Sequence, residues 1–346
     1  MLGNARFLNR RRRRRCADIR EQDLKSKSSP GTLCGLSLRS LRLTVLLFLL
    51  LLSPAAVFAQ TSRAVTWQPA QLVNGSPVLF QIRAPAKVRS ITATWLGHDL
   101  NFFHSESSRT WYALAGIPVE TTAGRYDLRI SEALAGTKSA QLVTTVRIGR
   151  AVYPKITVRV AKKYTEPNPE ELREINADKE VKQKVFAIAT AEKLWTGTFV
   201  APVSSPVSDV FGTARVFNNE VQGRHLGLDF AAPAGTPVHA INRGTVILAR
   251  PLYFEGGFVV IDHGQGLMSL YLHLSDFKVK EGDQVDTGQL IALSGGSGRA
   301  TGPHLHLAIR WQGVYVNPAI LLKLIIPPRN NALSLANTKL VSSKFS

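Results

Sequence analysis

The sequence predicts a mainly β protein: an immunoglobulin-like β-sandwich, then a helical connector, then a second, antiparallel β domain. Three observations carry this. Apolar and polar residues alternate over short runs, 26 glycines and 18 prolines punctuate the 346 residues, and 45% hydrophobic against 19% charged residues can bury real cores. The same composition excludes disorder throughout and an all-helical bundle. The length fits two domains and an N-terminal extra.

Residues 1–59 read as a basic leader, with 12 Lys/Arg against 3 Asp/Glu and an arginine run at residues 10–15. From Leu43 to Leu52 the run LTVLLFLLLL follows Arg39 and Arg42 and precedes Val57-Phe58-Ala59. Its length suits a secretory h-region, and the small residues that follow suit a cleavage site. Cleavage after Ala59 would make Gln60 the mature N-terminus; without it, residues 41–59 would serve as a membrane anchor. Either reading places the rest of the chain in the periplasm or cell envelope. Cys16 and Cys34 both precede the apolar run, so the exported part would hold no thiol, which excludes disulfides and thiolate chemistry there.

Residues 60–160 carry the sandwich signal. Short alternating runs, Ser76 to Ile82, Ser90 to Trp95, Tyr126 to Ile130 and Gln141 to Val146, are separated by turn residues. His98 and His104 lie there without a ligand motif and read as surface residues. Residues 161–198 form the connector, where acidic residues after Pro167 and Pro169 and later lysines mark a helix. Residues 199–325 return to β runs, among them Thr245 to Ala249, Phe258 to Asp262, Leu267 to His273 and Leu305 to Ile309, and residues 326–346 read as a polar tail.

This last domain holds the candidate chemistry. In His225-Leu226-Gly227-Leu228-Asp229, strand geometry would put the imidazole and the carboxylate on one face with the leucines behind. In Pro303-His304-Leu305-His306-Leu307, the two histidines would likewise share a face. His225, Asp229 and one histidine of the 304/306 pair are a suitable set for a catalytic zinc that keeps a position open for water. The remaining histidine and His273 would serve proton transfer. His239 reads as a strand residue and His263 as part of a turn. The glycine-rich stretch Ser294 to Gly298 is either a loop near the groove or an ordinary hairpin loop.

These residues resemble the lysostaphin/LytM-type zinc metallopeptidases, which cut peptide bonds in peptidoglycan. The likeness runs from Ser208-Asp209-Val210-Phe211-Gly212 through HLGLDF (225–230), IDHGQGL (261–267), SLYLHLS (269–275) and GQLIALSGGSGRATGPHLHL (288–307) to VNPAILL (316–322). It implies His225, Asp229 and His306 as zinc ligands, one ion per domain, with His273 and His304 as catalytic histidines. It also implies stem peptides or cross-bridges of peptidoglycan as substrate. All five residues are intact, which weighs against the alternative of a peptidoglycan-binding activator of a separate hydrolase. The net charge of +19 suits an anionic partner. No interleaved basic and aromatic pattern accompanies it, so nucleic acid is not expected.

Overall fold

The alternating runs of the N-terminal half fold as two facing sheets. One has the order Val65–Gln68, Pro77–Ile82, Thr110–Gly116, Phe103–Ser105; the other runs Leu72–Val73, Ser139–Gly149, Gly124–Leu134, Val88–Trp95, His98–Asn101. Period-two alternation decides which face turns inward: Ile91, Ala93 and Trp95 are buried while Thr92 and Thr94 are exposed. Trp95 joins the layers. Its ring meets Phe80 edge-on at 5.1 Å, and its Nε1–H is donated to the Gly116 carbonyl at 3.1 Å. The computed structural model describes residues 64–134, 136, 139–157, 167–217 and 220–327. The leader with its two cysteines, the cleavage position and nearly all of the tail lie outside the described residues.

The expected helix is α1, Pro169–Phe186. Asn168 caps it, its side chain accepting from the Glu170 and Glu171 amides while the Glu171 carboxylate takes the Asn168 N–H, and Lys184 sits in the last turn. The helix is docked on the second lobe. Asp178 accepts the Tyr253 N–H at 2.6 Å, Lys182 pairs with Glu255 at 2.5 Å, and the Arg310 guanidinium lies over the Phe186 ring.

The C-terminal lobe is a large antiparallel sheet whose main path runs Val207–Asp209, Leu228–Phe230, Leu305–Trp311, Leu267–Phe277, Gly256–Asp262, Gly244–Leu252, Gln284–Val285. Gly256–Asp262 is buried along its whole length because both faces are covered. Val259 and Ile261 enter the main core, whereas Phe258 and Val260 pack with Leu248, Leu270 and Val185 of α1. A smaller sheet, Lys155–Thr157, Ala214–Phe217, Glu220–Arg224, flanks it. The two lobes share a seam: a Cβ at Gly116 would lie 2.8 Å from Val316 and 2.9 Å from Trp311, the His98 ring packs tilted against Trp311 at 5.0 Å, and Gln312 donates to the Asp99 carbonyl at 2.9 Å.

The stretch from His225 to Asp229 is not the single strand its pattern suggests. One strand ends at Arg224, residues 225–227 bend, and the next begins at Leu228. Two different neighbours pull it apart. His225 exchanges backbone bonds with Gly212 and Thr213, at 2.7 and 2.9 Å, while Asp229 pairs with His306. Leu226 consequently lies half-buried on the groove side, and only Leu228 joins the core.

Candidate active site

The bend at 225–227 and the strand register of Leu305–Trp311 bring three expected ligands to one point. His225 Nε2 lies 3.0 Å from Asp229 Oδ1 and 3.0 Å from His306 Nδ1, and His306 Nδ1 lies 2.7 Å from the same carboxylate oxygen. Among the described residues this is the cluster of His, Cys, Asp or Glu side chains arranged to hold a metal ion. The His225 Nδ1–H is held by the Val210 carbonyl at 2.9 Å, with Asp209 Oδ2 at 3.3 Å, which turns Nε2 inward. Gly227 makes room for the set: a Cβ there would stand 2.4 Å from the His306 ring and 2.7 Å from the Leu307 carbonyl. Burial alone would push the Asp229 carboxyl up, but bonds from the two rings outweigh it and hold the group well below the usual carboxylate range. Burial likewise opposes charge on His225, yet the bond and charge of Asp229 leave that ring raised, whereas burial dominates at His306 and lowers it.

His273 and His304 stand beside this cluster with ring centroids 4.7 Å apart. Each is held through Nδ1 by a backbone carbonyl, His273 by Ser297 at 2.9 Å and His304 by Gly302 at 2.8 Å. Each therefore keeps Nε2 for other work, and His304 Nε2 is 3.8 Å from Asp229 Oδ2. Burial, reinforced by the charge of His304, lowers His273 to about 4. All five residues line one open groove of about 1140 Å³, walled on one side by α1 residues Lys182 and Phe186.

Residues 223–318 match the sequence model of peptidase family M23. The C-terminal lobe contains an M23 peptidase domain. It is 50% identical over 93 residues to the peptidoglycan DD-endopeptidase ShyA of Vibrio cholerae, a match covering 27% of this chain and 22% of that protein. It is also 45% identical over 94 residues to the DD-carboxypeptidase/endopeptidase Mpg of Neisseria meningitidis, again covering 27% and 22%. The match thus spans about a fifth of the length of these curated relatives. A crystal structure of a Pseudomonas aeruginosa peptidase M23 superposes with a TM-score of 0.55 at 29% identity, over 73% of this chain and 95% of that one. The fold likeness therefore extends well beyond the M23 domain.

The other M23 histidines stay out of the groove. His263 is fully buried, its Nδ1–H donated to the Arg243 carbonyl at 2.8 Å and its Nε2 2.8 Å from Ser269 Oγ. His239 ends the strand Pro237–His239 with Nδ1 3.3 Å from the Pro202 carbonyl. Before the domain, His98 and His104 are half-exposed, their rings tilted against Trp311 and Trp111 with centroids 5.0 Å apart. Sequence reasoning gave no role to Asp209 or Ser297. Asp209 appears in the Ser208 to Gly212 motif without a spacing that ties it to His225, and Ser297 acts through a carbonyl that any residue would supply.

Proposed function

We propose that the chain is a zinc-dependent endopeptidase that hydrolyses peptide cross-links of bacterial peptidoglycan, of the DD type named for its relatives. The observation that carries this reading is the convergence of His225 Nε2, Asp229 Oδ1 and His306 Nδ1 on one point at the wall of an open groove. Two neutral imidazoles and a carboxylate are a donor set that hydrolytic zinc sites use, and it leaves room for water. When bound, a zinc ion supplies Lewis-acid polarisation of the scissile carbonyl and lowers the pKa of water toward neutrality.

The chain's own residues do the rest. Val210 and Asp209 fix the His225 ring, and the groove holds an extended peptide across the site. With Nδ1–H committed to the Ser297 and Gly302 carbonyls, the Nε2 atoms of His273 and His304 can take a proton from the attacking water and return one to the leaving amine nitrogen. All five groups share one groove, which supports hydrolysis over a role in binding alone. In the same reading residues 1–59 export the chain to the envelope, residues 60–160 form an immunoglobulin-like sandwich, residues 161–198 connect, and residues 199–325 carry the reaction.

The test is mass spectrometry of purified peptidoglycan incubated with the zinc-loaded and the chelated chain. New free amines from peptide cleavage are expected with zinc and not with chelator. A digest unchanged by the loaded chain would overturn the endopeptidase reading.

A further inference from the structure

The groove is lined by more cations than the reaction uses, and they differ in how they are employed. Lys182 pairs with Glu255, Lys179 reaches Asn176, Arg224 donates to the Gly212 carbonyl and lies over Tyr153, Arg299 lies over Phe254, and Arg310 lies over Phe186. Arg215 is different. It lines the groove, its Nε is buried, and that nitrogen has no hydrogen-bond partner among the described residues. A buried guanidinium N–H without a partner is costly, and such groups in native proteins call for an explanation.

Its place in the sheet supplies one. Ala214 pairs with Arg224 and Arg215 with Gly223, so by strand alternation Arg215 projects from the same face as His225, which bonds to Thr213 two residues earlier. Two strand residues span roughly 7 Å. The guanidinium thus belongs one or two peptide residues along the groove from the candidate metal point. Its cross-strand partner is Gly223, where a Cβ would meet nothing within 4 Å, so no side chain from that position stands beside it.

We propose that Arg215 is a specificity residue: its guanidinium binds a free carboxylate of the peptide substrate, one or two residues from the scissile bond, and so selects anionic stem peptides over neutral ones. The planar fork of arginine matches a carboxylate with two parallel N–H bonds, which lysine cannot reproduce. This inference rests on the endopeptidase reading for its reaction, though not for its binding.

The experiment uses the full zinc-loaded chain and synthetic cross-linked peptides in matched pairs, each carboxylate in turn free or converted to the carboxamide. For one carboxylate the native chain is expected to prefer the acid by roughly tenfold to a hundredfold in kcat/KM. Arg215→Gln should abolish that preference, lowering cleavage of the acid while leaving the amide nearly unchanged, and Arg215→Lys should restore part of it. Equal loss on acid and amide would reduce Arg215 to a structural role and overturn the proposal, as would a native chain indifferent to every amidation. If neither peptide is cut, the endopeptidase reading fails by itself. Calorimetric binding of the same peptides then decides: acid preference lost in Arg215→Gln upholds the receptor, and equal affinities overturn it.

Discussion

His263 shows how a single buried residue ties the stability of this lobe to pH. Burial pushes its ring down to about 4, only partly offset by the bond to the Arg243 carbonyl and by the charge of Asp262. In the unfolded chain the ring titrates near 6.5, so below that pH the unfolded state binds a proton that the folded state refuses until about pH 4. Stability is therefore full above pH 6.5 and falls by up to about 3 kcal/mol as pH drops to about 4. Urea titrations of the chelated chain across this window should show the fall, and His263→Gln should be less stable at neutral pH yet flatter by about that amount; an equally steep profile in the variant would remove His263 as the cause. Gly227 is a second residue whose role is local. Ala there would put a methyl group on the His306 ring, so Gly227→Ala should weaken metal affinity by roughly 10–100-fold, the range seen when groups that orient ligands are changed. Competition with a chromophoric chelator measures this, and an unchanged affinity would mean that the ring shifts without cost.

At the scale of elements, helix α1 is held to the sheet by charged as well as apolar contacts. Lys182 and Glu255 are largely buried, with side-chain exposures of 24% and 15%. Removing one partner leaves the other charge uncompensated, so Lys182→Met should cost about 2–3 kcal/mol, and Lys182→Met with Glu255→Leu should recover most of it. Thermal unfolding of the single and double variants tests this; a double variant no better than the single would show that the pair's charges are not what holds the helix. The helix itself was legible, because the acidic residues after Pro167 and Pro169 and the later lysines announce it locally. Its docking was not, since Asp178 and Lys182 find partners about seventy residues away in sequence. The same division holds in the site. The spacing in Leu305-His306-Leu307 transfers directly from pattern to strand, with both leucines buried. His225 and Asp229 were recognisable as a pair, but their geometry comes from Gly212, Thr213 and His306 pulling on a five-residue stretch from two sides. No local pattern encodes that bend.

At the scale of the whole molecule, the two lobes meet through a seam tight enough to couple their unfolding. The Thr110–Gly116 strand approaches Trp311 and Val316 so closely that no side chain fits at Gly116. Around it the Asn317 N–H bonds the Gly75 carbonyl at 2.8 Å, and Phe103 meets Trp195 edge-on at 5.3 Å. Trp311 and Trp195 are 2% and 1% exposed, so opening the seam would bare large aromatic surfaces on the C-terminal side. The chelated chain is therefore expected to unfold in one transition, with far-ultraviolet signal and tryptophan emission coinciding. Gly116→Val forces side-chain bulk into the contact at a cost of about 1–3 kcal/mol. It should lower the midpoint and separate the two signals, because each lobe has its own sheets but loses the surface that couples them. Two separate transitions in the unaltered chain would show the reverse: that the N-terminal lobe and the C-terminal lobe each stand alone, and that the aromatic seam joins them without binding their stabilities together.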